Sequence, residues 1–237
     1  MKTIGLLGGM SWESTIEYYR LLNKVVSAEL GGLHSAKILM YSVDFEELVA
    51  LKHRDAWSEI GSVLAKAAVQ LERAGAECIL LATNTMHKVA EAITLSTTIP
   101  LLHIADATAD EVKRHSIQCV GLLGTRFTME ESFYKDRLLY QHGLAVQTPN
   151  EAERIAIHDI IYNELCLGQI RSSSRDQICA AISNLVNSGA EAIILGCTEI
   201  GLLIKKEDSI VPLFDTTAIH AKAAAQWAIE LDPPIKK

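Results

Sequence analysis

The chain of 237 residues lacks a basic surplus, a long apolar run and a paired cysteine pattern. Its 22 Lys and Arg against 29 Asp and Glu give a net charge of −7, which argues against a nucleic-acid surface. No apolar run reaches the roughly 18 residues of a membrane-spanning helix. The five cysteines form no Cys-x-x-Cys pair, which fits neither a disulfide framework nor a zinc site. Because the N-terminus also lacks the features of a signal peptide, we expect a cytoplasmic protein that binds neither membrane nor nucleic acid.

The sequence does contain a repeat. The stretch Gly75-Ala-Glu-Cys-Ile-Leu-Leu-Ala-Thr83 is matched 114 residues later by Gly189-Ala-Glu-Ala-Ile-Ile-Leu-Gly-Cys197. The opening Ile4-Gly-Leu-Leu-Gly-Gly is matched 116 residues later by Val120-Gly-Leu-Leu-Gly-Thr. Because the two offsets are nearly equal, the sequence predicts two copies of one unit.

The predicted fold class is α/β, with two pseudo-symmetric three-layer α/β/α domains and mostly parallel sheets. We place the first domain at residues 1–105 plus 211–237 and the second at 106–210, so that the last helix returns to the first domain. The capping-box spacing of Ser14 and Glu17 predicts a helix that runs from there to about Leu30. Since parallel sheets bind ligands at the carboxyl ends of their strands, we expect the active site in the cleft between the domains.

The second Gly-Ala-Glu stretch ends in a cysteine that could carry chemistry. An apolar strand over 192–195 ends at Gly196 and is followed by Cys197. Thr198 and Glu199 suit the first turn of a helix, whose N-terminus would favour a thiolate and lower the pKa of Cys197. Cys197 is therefore a candidate base or nucleophile; the alternative is a small buried residue, as most free cysteines are.

Polar residues follow the equivalent strands. Single residues such as Thr83, Asn84 or Thr85 are mostly turn formers and caps, but three together, opposite the cysteine loop, indicate a polar cradle. Thr125 and Thr128 lie in the turn after the strand that begins at Val120.

The Gly-rich turn near Met10 matches neither a dinucleotide-binding nor a Walker A pattern, so we favour contact of its backbone N–H groups with a substrate carboxylate. Lys52 lies in a mixed-charge segment that is usually solvated, yet it follows the carboxyl end of a strand. Glu164 is expected on a solvated side of its helix, and His87 is expected to be a surface or capping residue.

A thiolate opposite a hydroxyl suits the inversion of a carbon centre. One group removes the α-proton and the other delivers a proton to the opposite face. Hydrogen bonds to the substrate carboxylate would stabilise the carbanion. The sequence carries no metal or cofactor motif.

The segments 79–87 and 193–201 resemble the two signatures of the cofactor-independent aspartate/glutamate racemase family, and 4–11 and 124–128 match it too. The resemblance implies a homodimer that racemises acidic amino acids without pyridoxal phosphate, metal or other cofactor, using one base from each domain. Cys197 would act on the L-enantiomer, and Thr83 would occupy the opposite face. The resemblance further implies substrate contacts at these positions: Met10, Lys52, Asn84, Thr85, Thr125, Thr128, Glu164 and Thr198.

The sequence departs from the family at Thr83, which stands where the first signature has cysteine. A threonine hydroxyl cannot be an anionic base at neutral pH. The resemblance therefore implies that proton abstraction from the L-enantiomer works and that proton abstraction from the D-enantiomer is impaired. Two alternatives stay open: a single-cysteine decarboxylase or isomerase of the same superfamily, and a non-catalytic sensor of acidic amino acids.

Overall fold

The structure, a computed structural model, describes residues 1–230 and falls into two compact units. The first unit comprises Met1–Ala82, Val89–His103 and the segment from His220 onward. The second comprises Thr83–Lys88 and Ile104–Ile219.

The first unit alternates strands and helices, as a parallel sheet requires. Its elements are β1 (Ile4–Gly8), α1 (Trp12–Leu30), β2 (Ile38–Ser42), α2 (Phe45–His53), α3 (Trp57–Arg73), β3 (Cys78–Leu81), α4 (Ala90–Ser96) and β4 (Leu101–Leu102). The four strands pair in parallel in the order β2-β1-β3-β4.

The second unit repeats this arrangement. Its elements are α5 (Ile104–Arg114), β5 (Cys119–Gly124), α6 (Arg126–Glu130), α7 (Ser132–Asp136), β6 (Ala145–Gln147), α8 (Glu151–Asn163), α9 (Ser172–Asn187), β7 (Ala192–Gly196), α10 (Ile200–Leu203), β8 (Leu213–Asp215) and α11 (Thr216–Ile229), which ends in the first unit. The strand order β6-β5-β7-β8 matches that of the first sheet, with β5 to β8 in the places of β1 to β4. The predicted α/β fold class with two parallel sheets is confirmed.

The Gly-Ala-Glu motif has the same structural task in both units. Its glycines follow helices and have φ of +100° and +102°, in the left-handed region that favours glycine. The Glu77 carboxylate accepts a hydrogen bond from the N–H of Thr3 at 2.6 Å. The Glu191 carboxylate accepts from the N–H groups of Gln118 and Cys119 at 2.7 and 2.9 Å. Each glutamate therefore fixes the start of the neighbouring strand.

Helices cover both faces of the second sheet. Leu123, Ile193 and Leu195 pack against α8 and α9 on one face. The alternate residues Leu122 and Ile194 pack against α5 and α7 on the other. Strands buried on both faces explain the continuous apolar runs of the sequence.

The last helix packs in the first unit. Four alanines of α11 pack with α1 and the first sheet: Ala221, Ala224, Ala225 and Ala228. The second division between the units lies after Ile219, whereas the sequence placed it after residue 210. The difference arises because β8 pairs with β7 and so belongs to the second sheet.

The start of the first helix needs correction. The first helix begins at Trp12 rather than Ser14, because Ser11 is its N-cap and accepts a hydrogen bond from the N–H of Ser14. The short strand β4 is followed almost at once by α5, whose first residues are buried in the second unit. Across residues 1–230, no helix has the length and apolar character needed to cross a membrane.

Candidate active site

The second unit contains both of the loops that the sequence singled out. The chain passes into this unit directly after β3, so Thr83–Lys88 belong to the same compact body as Cys197. The sequence assigned one of the two loops to each copy of the repeat. The structure corrects that assignment, because the contacts of Asn84, Thr85 and His87 described below are made with second-unit residues.

Asn84 connects its loop to the strand that carries the cysteine. Its amide Nδ2 donates to Thr216 Oγ1 at 3.0 Å, and the Thr216 hydroxyl donates to the carbonyl oxygen of Leu195 at 2.8 Å, two residues before Cys197. The Asn84 Oδ1 atom is buried and accepts no hydrogen bond from the part of the chain that the structure describes. Since buried polar atoms are nearly always paired, this oxygen is a ready acceptor for a ligand N–H group.

Three threonine hydroxyls form a triangle beside this loop. Thr85 Oγ1 lies 2.9 Å from Thr125 Oγ1 and 3.4 Å from Thr128 Oγ1, and the latter two are 3.3 Å apart. All three residues are buried. Because each hydroxyl can donate one hydrogen bond and accept two, the triangle could turn its donors towards a ligand carboxylate.

Glycines bring the ends of β5 and β7 close together. A Cβ atom on Gly124 would lie 2.8 Å from the carbonyl oxygen of Gly196 and 3.1 Å from Thr128 Cβ. A Cβ atom on Gly196 would lie 2.8 Å from the carbonyl oxygen of Leu123. The strands can therefore deliver Thr125 and Cys197, the next residues along each strand, only if both positions are glycine.

Cys197 is buried and hydrogen-bonded to a carboxylate. It is 6% exposed and packs in the apolar cluster with Ile161 and Leu165. Its Sγ–H donates to Glu199 Oε2 at 3.0 Å, and the Thr198 hydroxyl donates to the same oxygen at 2.6 Å. Glu199 itself is only 3% exposed. The carboxylate thus holds both polar side chains that precede it.

The pKa of Cys197 is raised well above its ordinary value, so the predicted lowered pKa is wrong. Burial is the largest cause, and the negative charge of Glu199 adds to it. A hydrogen bond from the backbone N–H of Glu199 lowers the pKa but is outweighed by these two causes. Helix α10 begins only at Ile200 and has four residues, so Thr198 and Glu199 precede it. The cysteine at rest is a protonated thiol.

Glu199 is the hydrogen-bond partner of Cys197, a contact that the sequence did not predict because Glu199 was interpreted only as part of a helix turn. The available signal was its position two residues after Cys197 within a segment with no other charged side chain. Such a carboxylate is costly to bury unless it is hydrogen-bonded.

His87 holds the Thr83 loop in place. It was expected at the surface or as a cap, and it is a buried cap, 3% exposed. Its Nε2 accepts from the N–H of Ile104, the first residue of α5, at 3.2 Å. Its Nδ1 therefore carries the proton and donates to the carbonyl oxygen of Thr83 at 2.7 Å.

His87→Ala is expected to lower the free energy of unfolding by about 2 kcal/mol, because two buried backbone groups each lose a partner at a cost of about 1–3 kcal/mol. Urea denaturation measures the change. The matched control is His34→Ala, whose imidazole is exposed and which should change the free energy by less than about 0.5 kcal/mol. Equal effects of the two variants would contradict a structural role for the His87 contacts.

Glu164 is tied to neighbouring protein groups. Its carboxylate accepts from the Ser174 hydroxyl at 2.6 Å and pairs with Arg171 at 3.4 Å. These contacts join the end of α8 to the start of α9. A substrate contact at Glu164 stays a prediction.

Met10 and Lys52 lie in the first unit and are both buried. Met10 follows Gly9, where φ is +93° and a Cβ atom would lie 2.3 Å from the carbonyl oxygen of Val43. Lys52 does not lie on a solvated face, since it is only 7% exposed, and its ammonium is 5.6 Å from the ring centre of Phe45. The substrate contacts expected of Met10 and Lys52 stay predictions.

None of the described residues form a group of three or more His, Cys, Asp or Glu side chains that could hold a metal ion. All five cysteines are free thiols.

Comparisons with known proteins agree over nearly the whole chain. The sequence profile of the Asp/Glu/hydantoin racemase family matches residues 7–224. The chain is similar to a structure of a candidate Asp/Glu racemase from Yersinia pestis, with 54% identity, a TM-score of 0.91 and coverage of 97% of this chain and 100% of the other. It is also similar to an aspartate racemase homologue from Pyrococcus horikoshii OT3, with 35% identity, a TM-score of 0.82 and the same coverage. The broad specificity amino-acid racemase RacX of Bacillus subtilis is 26% identical over 93% of this chain and 95% of that protein.

Proposed function

Because the chain belongs to the Asp/Glu/hydantoin racemase family, we propose that it is a cofactor-independent racemase of acidic amino acids, with aspartate and glutamate as substrates. The observation that carries the proposal is the Cys197 thiol, hydrogen-bonded at 3.0 Å to the buried carboxylate of Glu199. A thiol paired with a proton acceptor is what α-proton abstraction needs. The threonine triangle and the open Asn84 oxygen, in the same unit, offer groups that can hold an amino acid.

The first step is the creation of a base. The Sγ–H proton passes along the existing hydrogen bond to Glu199 Oε2, which leaves a thiolate and a carboxylic acid. The thiolate then takes the α-proton of the L-amino acid, and the electron pair of the C–H bond stays on the α-carbon, which becomes a carbanion. Bringing a substrate ammonium group near the thiol would offset the burial that raises its pKa.

The second step is the return of a proton. A proton from the Cys197 thiol restores the L-enantiomer, whereas a proton delivered to the opposite face gives the D-enantiomer. Thr83 occupies the position of the second base, and its hydroxyl can only relay a proton from water. Inversion is therefore slower than exchange on the L-face.

Hydrogen bonds to the substrate carboxylate stabilise the carbanion in this mechanism. The hydroxyls of Thr85, Thr125 and Thr128 supply up to three donors, and Asn84 Oδ1 accepts from the ammonium group. The preference for acidic substrates is supported by the aspartate racemase homologue among the similar structures and by the predicted role of Lys52. Because RacX is a broad specificity racemase, a test of acidic specificity must also measure the racemisation of a neutral amino acid.

The activity is tested by incubating the protein with L-aspartate, L-glutamate and L-alanine and separating the enantiomers by chiral chromatography. We expect slow appearance of the D-form of the acidic amino acids and much less D-alanine. Equal rates for all three would contradict the acidic specificity. Binding without any D-form or α-proton exchange would instead support the sensor.

Glu199→Gln is expected to reduce α-proton exchange from L-substrates at least tenfold at neutral pH, because the amide cannot accept the thiol proton. Without the negative charge of Glu199, the pKa of Cys197 should fall towards its ordinary value. The thiolate then forms unaided as the pH rises, so the deficit should shrink in alkaline buffer. Exchange rates measured against pH test both effects.

Glu207→Gln is the matched control for this experiment, because Glu207 is an exposed carboxylate a few residues further along the chain. It should leave both the exchange rate and its pH profile unchanged. A deficit in Glu199→Gln that stayed constant with pH would indicate a purely structural role for Glu199.

A further inference from the structure

Helix α1 leaves a line of large apolar side chains uncovered. Trp12, Ile16 and Tyr19 are 59%, 52% and 52% exposed. Their spacing of four and then three residues places them along one side of the helix, and we call this line the α1 stripe. Three large apolar side chains in one line form a continuous patch of the kind that marks an interaction surface.

A row of charged residues runs beside the α1 stripe. Glu13, Glu17, Arg20 and Lys24 follow the same spacing, each close to a stripe position but turned to one side of it. The first two are acidic and the last two are basic. The opposite flank of the stripe is formed by buried residues such as Thr15 and Leu22, so only this row can meet a partner.

We propose that the α1 stripe docks against the α1 stripe of a second copy of this chain, with the two helices antiparallel about a twofold axis. Such an axis places the charged row of one copy beside the same row of the other, in the reverse direction. Glu13 then faces the partner's Lys24, and Glu17 faces the partner's Arg20. The symmetry makes each of these pairs twice.

The order of the charges selects this orientation. In a parallel pair, the charged rows would lie on opposite sides of the two helices and could not meet. In the antiparallel pair, like charges are kept apart and four opposite-charge contacts form. Exposed charge pairs of this kind determine orientation and specificity more than affinity, whereas the central apolar side chains supply the affinity.

The dimensions suit an interface centred on this helix. The 19 residues of α1 span about 28 Å at the rise of an α-helix. Within one copy, Arg20 already pairs with Glu17 and remains 46% exposed, so docking would extend an existing ion pair into a network across the interface. This surface is independent of the proposed catalytic activity.

Sedimentation of the full-length protein tests the surface. We expect the unmodified chain to form dimers, and Ile16→Glu to raise the dissociation constant at least thirtyfold, the effect of a typical interface hot spot. Leu95→Glu is the matched control, since Leu95 is 80% exposed on α4 of the same unit and should leave the dissociation constant unchanged. Circular dichroism confirms that both variants are folded.

A charge-exchange experiment tests the orientation. One double variant combines Glu13→Lys with Glu17→Lys, and the other combines Arg20→Glu with Lys24→Glu. Each should be monomeric alone, because all four charge pairs across the twofold axis then join like charges. Mixed in equal amounts, they should form a heterodimer. A chain that is monomeric at every concentration, a dimer unaffected by Ile16→Glu, or a mixture that fails to associate would overturn the proposal.

Discussion

Cys197→Ala is expected to abolish α-proton exchange from L-aspartate and L-glutamate. The variant removes the thiol that we propose as the base on the L-face, and general base catalysis contributes about 10²–10⁴-fold to such steps. We therefore expect a loss of about 10³-fold or more. The fold should be retained, because the change removes one buried atom and Glu199 keeps the hydrogen bond from Thr198.

Cys179→Ser is the matched control for the loss. Cys179 is a free thiol that packs against the same apolar cluster as Cys197, but it lies on α9 and belongs to none of the polar groups of the candidate site. Its replacement should leave the exchange rate nearly unchanged. A comparable loss in Cys179→Ser would show that the loss is not specific to Cys197, and full activity in Cys197→Ala would remove Cys197 from the mechanism.

The sequence was informative where a motif with one structural role occurs in both units. The Gly-Ala-Glu motifs predicted two units, because each glycine ends a helix and each glutamate fixes a neighbouring strand. The apolar runs predicted parallel strands because a strand buried on both faces has no polar side. The position of Cys197 at the end of such a run could be predicted for the same reason.

The unit to which Thr83–Lys88 belong and the pKa of Cys197 depend on tertiary contacts, which the sequence could not predict. The segment Thr83–Lys88 directly follows a strand of the first unit, and only the contacts of Asn84, Thr85 and His87 assign it to the second. The pKa of Cys197 depends on how completely the thiol is buried, and local sequence does not give that burial. Burial and the neighbouring negative charge of Glu199 reverse the predicted direction of the shift.

Thr83→Cys is expected to speed conversion between the enantiomers by about 100-fold, because it supplies a thiol where the unmodified chain has a hydroxyl that cannot become an anionic base at neutral pH. Such a gain corresponds to about 2.7 kcal/mol in the barrier. Circular dichroism of the amino acid measures conversion from either side. Thr83→Ser keeps the hydroxyl and is the matched control, with a rate close to that of the unmodified chain.

The gain must be equal in both directions. Free enantiomers have the same energy, so the equilibrium constant is one and the ratio of kcat/KM in the two directions is fixed at unity. A faster D-face base can therefore change kcat and KM differently for the two enantiomers, but it cannot make their kcat/KM values unequal. If Thr83→Cys left the rate of conversion unchanged while exchange from the L-form continued, proton transfer at position 83 would not limit the rate of conversion.

Proton NMR in deuterated buffer distinguishes α-proton exchange on the two faces of the substrate. The unmodified protein is incubated separately with the L- and D-forms of aspartate and glutamate, and the loss of the α-proton signal is followed for each. We expect the L-forms to exchange their α-proton faster than they convert to the D-forms, and the D-forms to lose theirs only at the slow rate of inversion. Equal exchange from both enantiomers would contradict the assignment of Cys197 as the working base and Thr83 as the weak side.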